Sequence, residues 1–297
     1  MLLALLIPLS LAIAVYAVVL IRAALAKRTL PTLEAVVLGG ITNFFDTLGI
    51  GSFAPTMAWF KFRRLVPDRL IPPTMLVGHT PPSMAQGFIF LVLLGVMVEP
   101  VLLVGSIIAL LMGGLMGAPL VGKVRLWVVQ TIVAAALLLA AVLYAISNLD
   151  MMPGGGTSTA LPTHLMVIAI IANFLFGLLL NFGVGNYAPT LVLLSLMGMD
   201  PRLCFPIMAA GAGLCGAGAS IRHINLGQLD LRIAIGLTLG GIPAVFVAAF
   251  IVRDMPLDIL RWLVMVVVLY AAAVMARAAW LGRKGEHLPL TPEDAAS

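Results

Sequence analysis

The feature that most constrains this chain is an eight-residue motif that occurs twice, each time inside a long apolar segment. Residues 49–56 read Gly-Ile-Gly-Ser-Phe-Ala-Pro-Thr, and residues 183–190 read Gly-Val-Gly-Asn-Tyr-Ala-Pro-Thr. Five of the eight positions are identical and the other three are conservative pairs. The correspondence continues downstream at the same offset, where Pro67 matches Pro201. A duplication of this kind indicates two structural repeats.

The composition places these motifs in a membrane. Of the 297 residues, 62% are hydrophobic and 10% are charged, and the mean hydropathy is +1.15. A soluble domain carries about 45–50% apolar and about 25% charged residues, so the chain is predicted to be an all-α polytopic membrane protein. The formal charge of +5 does not indicate nucleic-acid binding, because the lysines and arginines stand singly or in small groups beside apolar runs. Cys204 and Cys215 are interpreted as packing residues of one helix that cannot pair with each other.

Seven apolar segments are long enough to cross the hydrocarbon core, which takes about 20 helical residues. They are residues 1–21, 70–97, 100–122, 126–147, 203–221, 232–252 and 262–281. The first lacks the positively charged start of a signal peptide, so we expect a retained helix. Two further segments, 34–60 and 168–196, contain the motifs. Each of these is either a full span or a re-entrant hairpin that leaves the membrane on the side from which it entered.

The distribution of positive charge favours re-entrant hairpins. With nine full spans, eight Lys and Arg residues would be inside and nine outside, which defines no orientation. With two re-entrant hairpins, only three of them are outside, namely Arg202, Arg253 and Arg261. The other fourteen are inside: Arg22, Lys27, Arg28, Lys61, Arg63, Arg64, Arg69, Lys123, Arg125, Arg222, Arg232, Arg277, Arg283 and Lys284. This strong bias predicts an N-terminus outside and a C-terminus in the cytoplasm.

Re-entrant hairpins also imply that the two repeats are inverted. Each repeat then holds one hairpin and three spans, so the first hairpin enters from the cytoplasm and the second from outside, as in many secondary transporters. The predicted organisation is an N-terminal helix and linker (1–33), a first repeat (34–147), a Gly/Ser/Thr-rich linker (148–163), a second repeat (164–281) and a disordered tail (282–297).

The motif itself predicts an anion site. A helix broken at Gly49 and Gly51 can restart at Ser52, a residue type that caps helix N-termini, with Pro55 in its first turn. The free N–H groups and the positive dipole end of such a terminus attract an anion, and glycine lets the ligand approach the backbone. The alternative is a glycine-rich packing kink between close helices. The candidate substrate-binding residues are Gly49, Gly51, Ser52, Phe53 and Thr56 in the first copy, and Gly183, Gly185, Asn186, Tyr187 and Thr190 in the second.

Polar residues inside the apolar segments indicate further roles. Asp46 is an intramembrane carboxylate, which is a functional candidate because its burial is costly. Proton coupling is the hypothesis for Asp46 and for His79, and the alternatives are a carboxylate held by neighbouring donors and a packing histidine. The position that matches Asp46 in the second copy is Leu180, so its role belongs to one half only. Asn43, Asn173 and Asn181 are candidates for lining a cavity, with interhelical hydrogen bonding as the alternative.

The twin Gly-x-Gly-x-x-x-Pro segments, Gly49–Pro55 and Gly183–Pro189, resemble those of the TauE/SafE-type sulfite exporter (TSUP) membrane permease family. The likeness covers nearly the whole chain in layout, and the two short motifs are its specific part. After each Gly-x-Gly this chain has a polar and an aromatic residue where the family pattern has more glycine. The resemblance implies a permease of the bacterial inner membrane that exports sulfite, organosulfonates or related small organic anions.

The expected function is therefore a secondary transporter of a small anion that works by alternating access, with protons as the candidate coupling ion. A passive anion channel and a membrane assembly factor without transport activity are the alternatives. The sequence has no His/Cys/Asp cluster with metal-ligand spacing, no nucleophile–base pair and no phosphate-loop motif. An enzymatic activity, a metal, a cofactor and a nucleic-acid partner are therefore not expected.

Overall fold

The computed structural model describes residues 2–117, 125–149, 156–180, 185–227 and 229–286, and across these ranges the chain forms eleven α-helices and no strand. The helices are α1 (Leu2–Ala26), α2 (Leu33–Thr47), α3 (Phe53–Arg63), α4 (Ile71–Leu93), α5 (Pro100–Gly117), α6 (Leu126–Asn148), α7 (Thr163–Leu180), α8 (Tyr187–Leu196), α9 (Cys204–Leu226), α10 (Leu231–Asp254) and α11 (Leu257–Glu286). The predicted all-helical fold class is confirmed.

The first motif ends one helix and begins another. α2 starts after Thr32, whose hydroxyl accepts a hydrogen bond from the Ala35 backbone N–H at 3.2 Å. Between α2 and α3, Gly49 and Gly51 adopt φ values of 96° and 87°. This left-handed region is strained for residues that carry a Cβ, so the two glycines make the turn possible. In the second motif, α8 starts at Tyr187, the position that matches Phe53 at the start of α3.

α3 runs back alongside α2. The Glu34 carboxylate, near the start of α2, accepts hydrogen bonds from Arg63 Nε and Trp59 Nε1, both at 3.0 Å. The bond from Arg63, followed by that from Trp59, lowers the pKa of Glu34. These contacts join the first residues of α2 to the last residues of α3, so the two helices are antiparallel. We call α2 and α3 the first hairpin.

α8 runs back alongside α7 in the same way. Ser158, which precedes α7, forms backbone hydrogen bonds with two residues that follow α8: its N–H donates to Gly198 O at 3.2 Å, and the Asp200 N–H donates to Ser158 O at 3.0 Å. Between the two helices, Thr190 Oγ1 donates to Asn173 Oδ1 at 3.2 Å. We call α7 and α8 the second hairpin.

The first helix of each hairpin packs closely against a helix from the other half of the chain. α2 packs against α10, and α7 packs against α5. A methyl group at Gly240 would overlap the Val36 carbonyl oxygen, and one at Gly113 would overlap the Phe174 carbonyl oxygen. Small residues therefore let these backbones approach each other, as is common where helices associate in membranes.

α4 and α9 pack against each other at the centre of the bundle. Thr80 Oγ1 on α4 lies 2.9 Å from Ser220 Oγ on α9, and one of the two hydroxyls donates to the other. α1 covers this pair, and its Tyr16 hydroxyl donates to Val77 O at 2.9 Å. The hydrogen bonds thus tie α1 and α9 to the middle of α4.

Six of the described helices are long and apolar enough to cross a membrane, and they overlap only partly with the seven predicted spans. α1, α5, α9, α10 and α11 agree with the prediction. α7 also qualifies, although the sequence analysis assigns it to a hairpin. The predicted span 126–147 qualifies only as a shorter apolar helix, Trp127–Leu143, and α4 does not qualify. The physical reason is that α4 carries His79, Thr80 and Gln86, polar residues that are buried inside the bundle.

The predicted tail and linker are only partly described. α11 extends to Glu286 and so includes the first residues that were assigned to a disordered tail beginning at 282. Residues 287–297 lie outside the described part of the chain, as do residues 150–155 of the predicted linker.

We expect Gly113→Ala to lower the stability of the folded protein, because its new methyl group would collide with the α7 backbone. Overpacking of this kind typically costs about 1–3 kcal/mol. Thermal unfolding of the purified protein in detergent measures the effect. Gly218→Ala is the matched control, because a methyl group at this α9 glycine meets no atom within 4 Å. Equal melting temperatures for the two variants would contradict the close α5–α7 contact.

Candidate functional site

The turn of the first hairpin is organised by a buried carboxylate. The residue Asp46 is buried, with 6% of its surface exposed, and its Oδ1 accepts a hydrogen bond from the Ser52 backbone N–H at 2.7 Å. Ser52 occupies the N-cap position of α3, but its side chain forms no cap hydrogen bond. The expectation that the Ser52 hydroxyl caps the helix was therefore wrong. Asp46, six residues earlier, supplies the oxygen instead, which satisfies a backbone N–H group ahead of the first turn.

The turn of the second hairpin is organised differently. Asn186 occupies the N-cap position of α8, again without a side-chain cap bond. Its Nδ2 donates to Met208 O on α9 at 3.1 Å, so this side chain ties the hairpin to a neighbouring helix. Leu180, which matches Asp46, is the last residue of α7 and offers no oxygen from its side chain. Gly183 and Asn181 lie outside the described residues.

The second glycine of each motif borders open space. A methyl group at Gly51 or at Gly185 would meet no atom of the described residues within 4 Å. One at Gly49 would instead contact Val267 on α11 and Leu191 on α8 at ordinary packing distances. Gly51 and Gly185 therefore occupy corresponding positions where a ligand has room to approach the backbone, and Gly49 packs against the protein.

His79 connects three helices near the first turn. Asn43 Nδ2 on α2 donates to Gly39 O at 2.7 Å, which leaves its Oδ1 facing His79 Nδ1 at 3.1 Å. Because Oδ1 only accepts, Nδ1 carries the proton, and Nε2 then accepts from the Thr56 hydroxyl on α3 at 3.0 Å. The Phe53 ring lies against the imidazole, with centroids 5.5 Å apart. His79 is thus bonded through both ring nitrogens and holds α2, α3 and α4 together.

A second set of polar contacts surrounds α8. Asn173, fully buried on α7, donates through Nδ2 to Ala169 O at 2.9 Å and accepts from Thr190. The Tyr187 hydroxyl donates to Gln86 Oε1 on α4 at 2.9 Å. Among the described residues, no recorded hydrogen bond joins this set to the His79 contacts. The structure therefore places the candidate residues in one group per hairpin.

Gln86 is a buried polar residue beside the second hairpin that the sequence analysis did not select as a candidate. It is fully buried, and its Nε2 has no hydrogen-bond partner among the described residues. A buried amide donor without a partner is costly, and such groups need a specific explanation. The available signal was the position of a glutamine inside an apolar helix, but the side chain that it contacts, Tyr187, is remote in sequence.

Two cavities lie elsewhere and are almost wholly apolar. One of about 320 Å³ is bordered by α1, α4 and α10 side chains, including Ile13, Phe88 and Phe246. The other, of about 390 Å³, lies at the start of α5, beside Pro100 and Val104. Neither is lined by a residue of either hairpin, so neither corresponds to the predicted anion site.

The apolar helices, the buried polar groups at the two turns and the close glycine contacts define a multi-pass helical membrane protein. Residues 151–295 match the family model described as Sulfite exporter TauE/SafE. This stretch is just under half of the chain and contains the second motif, and the resemblance to the TauE/SafE family is confirmed there. No curated protein and no solved structure matches the chain.

We expect Thr56→Val to destabilise the protein, because it removes the donor to His79 Nε2 at a buried site while keeping the side-chain shape. Leaving a buried acceptor without a partner costs about 1–3 kcal/mol. The free energy of unfolding in denaturant measures the change. The matched control is Thr131→Val on α6, whose exposed hydroxyl donates to Trp127 O, and which should change stability by about 0.5 kcal/mol or less. A Thr56→Val variant as stable as this control would rule out the His79 bond as a structural contact.

Proposed function

We propose that this protein is a secondary transporter that exports a small anion, such as sulfite, an organosulfonate or a related organic acid, across the bacterial inner membrane by alternating access. The match of residues 151–295 to the Sulfite exporter TauE/SafE family model supports the class of substrate. The observation that carries the mechanism is that the two hairpins have their open ends at opposite ends of the helix bundle. The contacts between helix ends support this arrangement.

The open end of the first hairpin lies with the starts of α4 and α10. The Glu34–Arg63 contact brings the start of α2 and the end of α3 together. The Asp230 backbone N–H, just before α10, donates to Thr74 Oγ1 in the first turn of α4 at 2.9 Å. α2 and α10 run parallel, because Gly39 lies against Leu237 and Gly40 against Gly240. The starts of α2, α4 and α10 therefore share one end of the bundle.

The open end of the second hairpin lies at the other end. The Glu99 backbone N–H, before α5, donates to Thr159 O, before α7, at 3.1 Å. The Ser158 bridge to Met199 adds the end of α8 to the same group. Since α4 starts with the first hairpin and ends shortly before α5, the two groups are separated by the length of α4.

The packing also supports two inverted repeats, α2–α6 and α7–α11, which correspond to the predicted 34–147 and 164–281. In chain order, α2 corresponds to α7, α4 to α9, α5 to α10 and α6 to α11. Exchanging each helix for its counterpart turns the α2–α10 pair into the α7–α5 pair, and both pairs are closely packed. The same exchange leaves two other packed pairs unchanged, α4–α9 and α6–α11. This is the behaviour of a twofold axis that relates the repeats, and it supports two re-entrant hairpins that meet near the midplane.

The positive charges support an orientation. The end of the bundle that holds the Glu34–Arg63 contact also carries Lys61, Arg64 and Arg69, which belong to the fourteen Lys and Arg residues predicted to be inside. Arg202, Arg253 and Arg261 lie at the opposite end of the described helices. The positive-inside rule then assigns the first end to the cytoplasm, with the N-terminus outside and the C-terminus inside.

The proposed substrate site lies between the two turns. Its backbone N–H groups come from the starts of α3 and α8, and Gly51 and Gly185 leave the space for the anion. The remaining candidates, Ser52, Phe53, Thr56, Asn186, Tyr187 and Thr190, with Asn43 and Asn173, would border the site or hold the hairpins that form it. We assign the coupling proton to Asp46 in preference to His79, because both nitrogens of the His79 ring are already bonded.

Two alternatives predict different behaviour. A passive anion channel would not accumulate substrate against its gradient when a proton gradient is imposed on proteoliposomes, whereas the transporter would. A membrane assembly factor would show no thermal shift with any small anion.

The first expected outcome concerns topology, and single cysteines in a background without Cys204 and Cys215 test it. Lys27→Cys and Arg64→Cys flank the first hairpin, and His164→Cys and Arg202→Cys flank the second. An impermeant maleimide added to intact cells should label the second pair and not the first. Labelling of one cysteine from either pair without the other would mean that this hairpin crosses the membrane as a span.

The second expected outcome concerns substrate binding and tests the proposed function directly. A thermal-shift screen over sulfite, sulfate, thiosulfate, taurine, sulfoacetate and simple carboxylates identifies the best ligand, and calorimetry on folded protein measures its Kd. Gly51→Val and Gly185→Val should each raise this Kd by about tenfold or more, which is ~1.4 kcal/mol, because a side chain enters the space for the anion.

Two control variants distinguish backbone strain at a substituted glycine from the effect of a valine side chain in the space for the anion. Gly198 has a φ of 99° and open space around it, like Gly51, but lies beyond the end of α8. Gly218, like Gly185, has no atom of the described residues within 4 Å of an added methyl group, but it lies on α9. Gly198→Val and Gly218→Val should keep the wild-type Kd. Unchanged affinity in Gly51→Val or Gly185→Val would remove that hairpin from the site and favour the packing interpretation of the motif.

A further inference from the structure

We propose that Asp46 is a tethered anion that occupies the N-terminus of α3, and that the substrate anion must displace it in order to bind there. This inference rests on the proposed function and specifies how one proton is coupled to one anion. It starts from the hydrogen bond of 2.7 Å between the Ser52 N–H and Asp46 Oδ1.

The charge of Asp46 has no cationic partner in the described part of the chain. No salt bridge recorded among those residues includes Asp46, although the carboxylate is 6% exposed. The partial positive charge at the start of α3 is therefore the local stabilising field for this carboxylate. A substrate anion would seek the same N–H groups and the same field, and the open space beside Gly51 leads to them.

The second hairpin has no equivalent competitor. The residue that matches Asp46 is Leu180, and the Asn186 side chain is bonded to Met208 O on α9. The start of α8 thus receives no carboxylate from its own hairpin. In the described conformation an Asp46 oxygen occupies the α3 terminus, whereas the cap residue of α8, Asn186, forms no side-chain cap hydrogen bond.

Displacement requires a proton. Two negative charges at one desolvated terminus repel each other, so the arriving anion favours the protonated form of Asp46. A proton from water then forms an O–H bond on the carboxylate, and the Ser52 N–H transfers its hydrogen bond to a substrate oxygen. For a monovalent anion, the anion and the proton together leave the net charge of the site unchanged.

Other titratable groups on the surrounding helices do not replace Asp46 in this role. They are His79 on α4, Tyr187 on α8, the thiols Cys204 and Cys215 on α9, and Tyr270 on α11. α4 and α8 contain no Asp, Glu, Lys or Arg. The charged residues of α2, α3, α9 and α10 lie toward the ends of these helices, away from the turn. His79 is bonded through both nitrogens, and the Tyr187 hydroxyl donates to Gln86.

Calorimetric binding of methanesulfonate tests the inference, because this sulfonate stays a monoanion throughout the working pH range. For the wild type, the Kd should rise with pH by up to about tenfold per unit once Asp46 is ionised. Asp46→Asn keeps the size of the side chain and an oxygen for Ser52 but removes the charge. At pH 8 it should bind about tenfold or more tightly than the wild type, with a Kd that hardly depends on pH. Glu34→Gln, at the exposed end of the same hairpin, is the control and should behave like the wild type.

Proton uptake provides a measurement that needs no variant. Titrations of the wild type at pH 8 in buffers with different ionisation enthalpies give the number of protons bound with each methanesulfonate, which should approach one. Uptake near zero, or weaker binding by a folded Asp46→Asn variant, would overturn the tethered-anion inference and leave the transporter proposal standing. Absence of binding by both proteins, to methanesulfonate and to every anion of the screen, would instead overturn the proposed function itself.

Discussion

A helix that begins inside an apolar environment exposes backbone N–H groups that need partners, and the two hairpin turns depend on how this need is met. α3 receives an oxygen from Asp46, whereas the cap residue of α8, Asn186, is bonded to α9 instead. An unbroken helix would need neither arrangement. A chain with two such breaks in corresponding places has helix N-termini at two points inside the bundle, and the proposed anion site uses the N–H groups of these termini.

The turns can hold this geometry only because the rest of each hairpin is fixed by close packing. The glycine contacts between α2 and α10 and between α7 and α5 place the first arms at backbone distance from their neighbours. His79 then positions α3 relative to α2 and α4 through two hydrogen bonds to neutral partners. The two His79 nitrogens are thus committed to Asn43 and Thr56, and the Asp46 carboxylate is bonded to the start of α3 through the Ser52 backbone N–H.

Sequence reasoning located the helix breaks because glycine pairs and a following proline are local signals. The starts of α3 at Phe53 and of α8 at Tyr187 follow from these residues alone. It did not identify the cap of α3, because Ser52 is the usual residue type for a cap and the real acceptor is reached across the turn. It also missed Gln86, since the contact with Tyr187 joins residues 101 positions apart, and periodicity carries no information at that distance.

The two hairpins differ in how much of the protein covers them, and this difference bears on the proposed transport cycle. α3 buries only Thr56 and Phe60 and packs mainly on α2 and α4, whereas most of α8 is buried and also contacts α6 and α11. In an inverted repeat, rocking one half against the other exchanges the environments of the two halves. A state in which α3 is covered and α8 is exposed would then open the opposite face. The Asp46 carboxylate, which the substrate anion is proposed to displace from Ser52, belongs to the hairpin whose second helix is less covered in the described state.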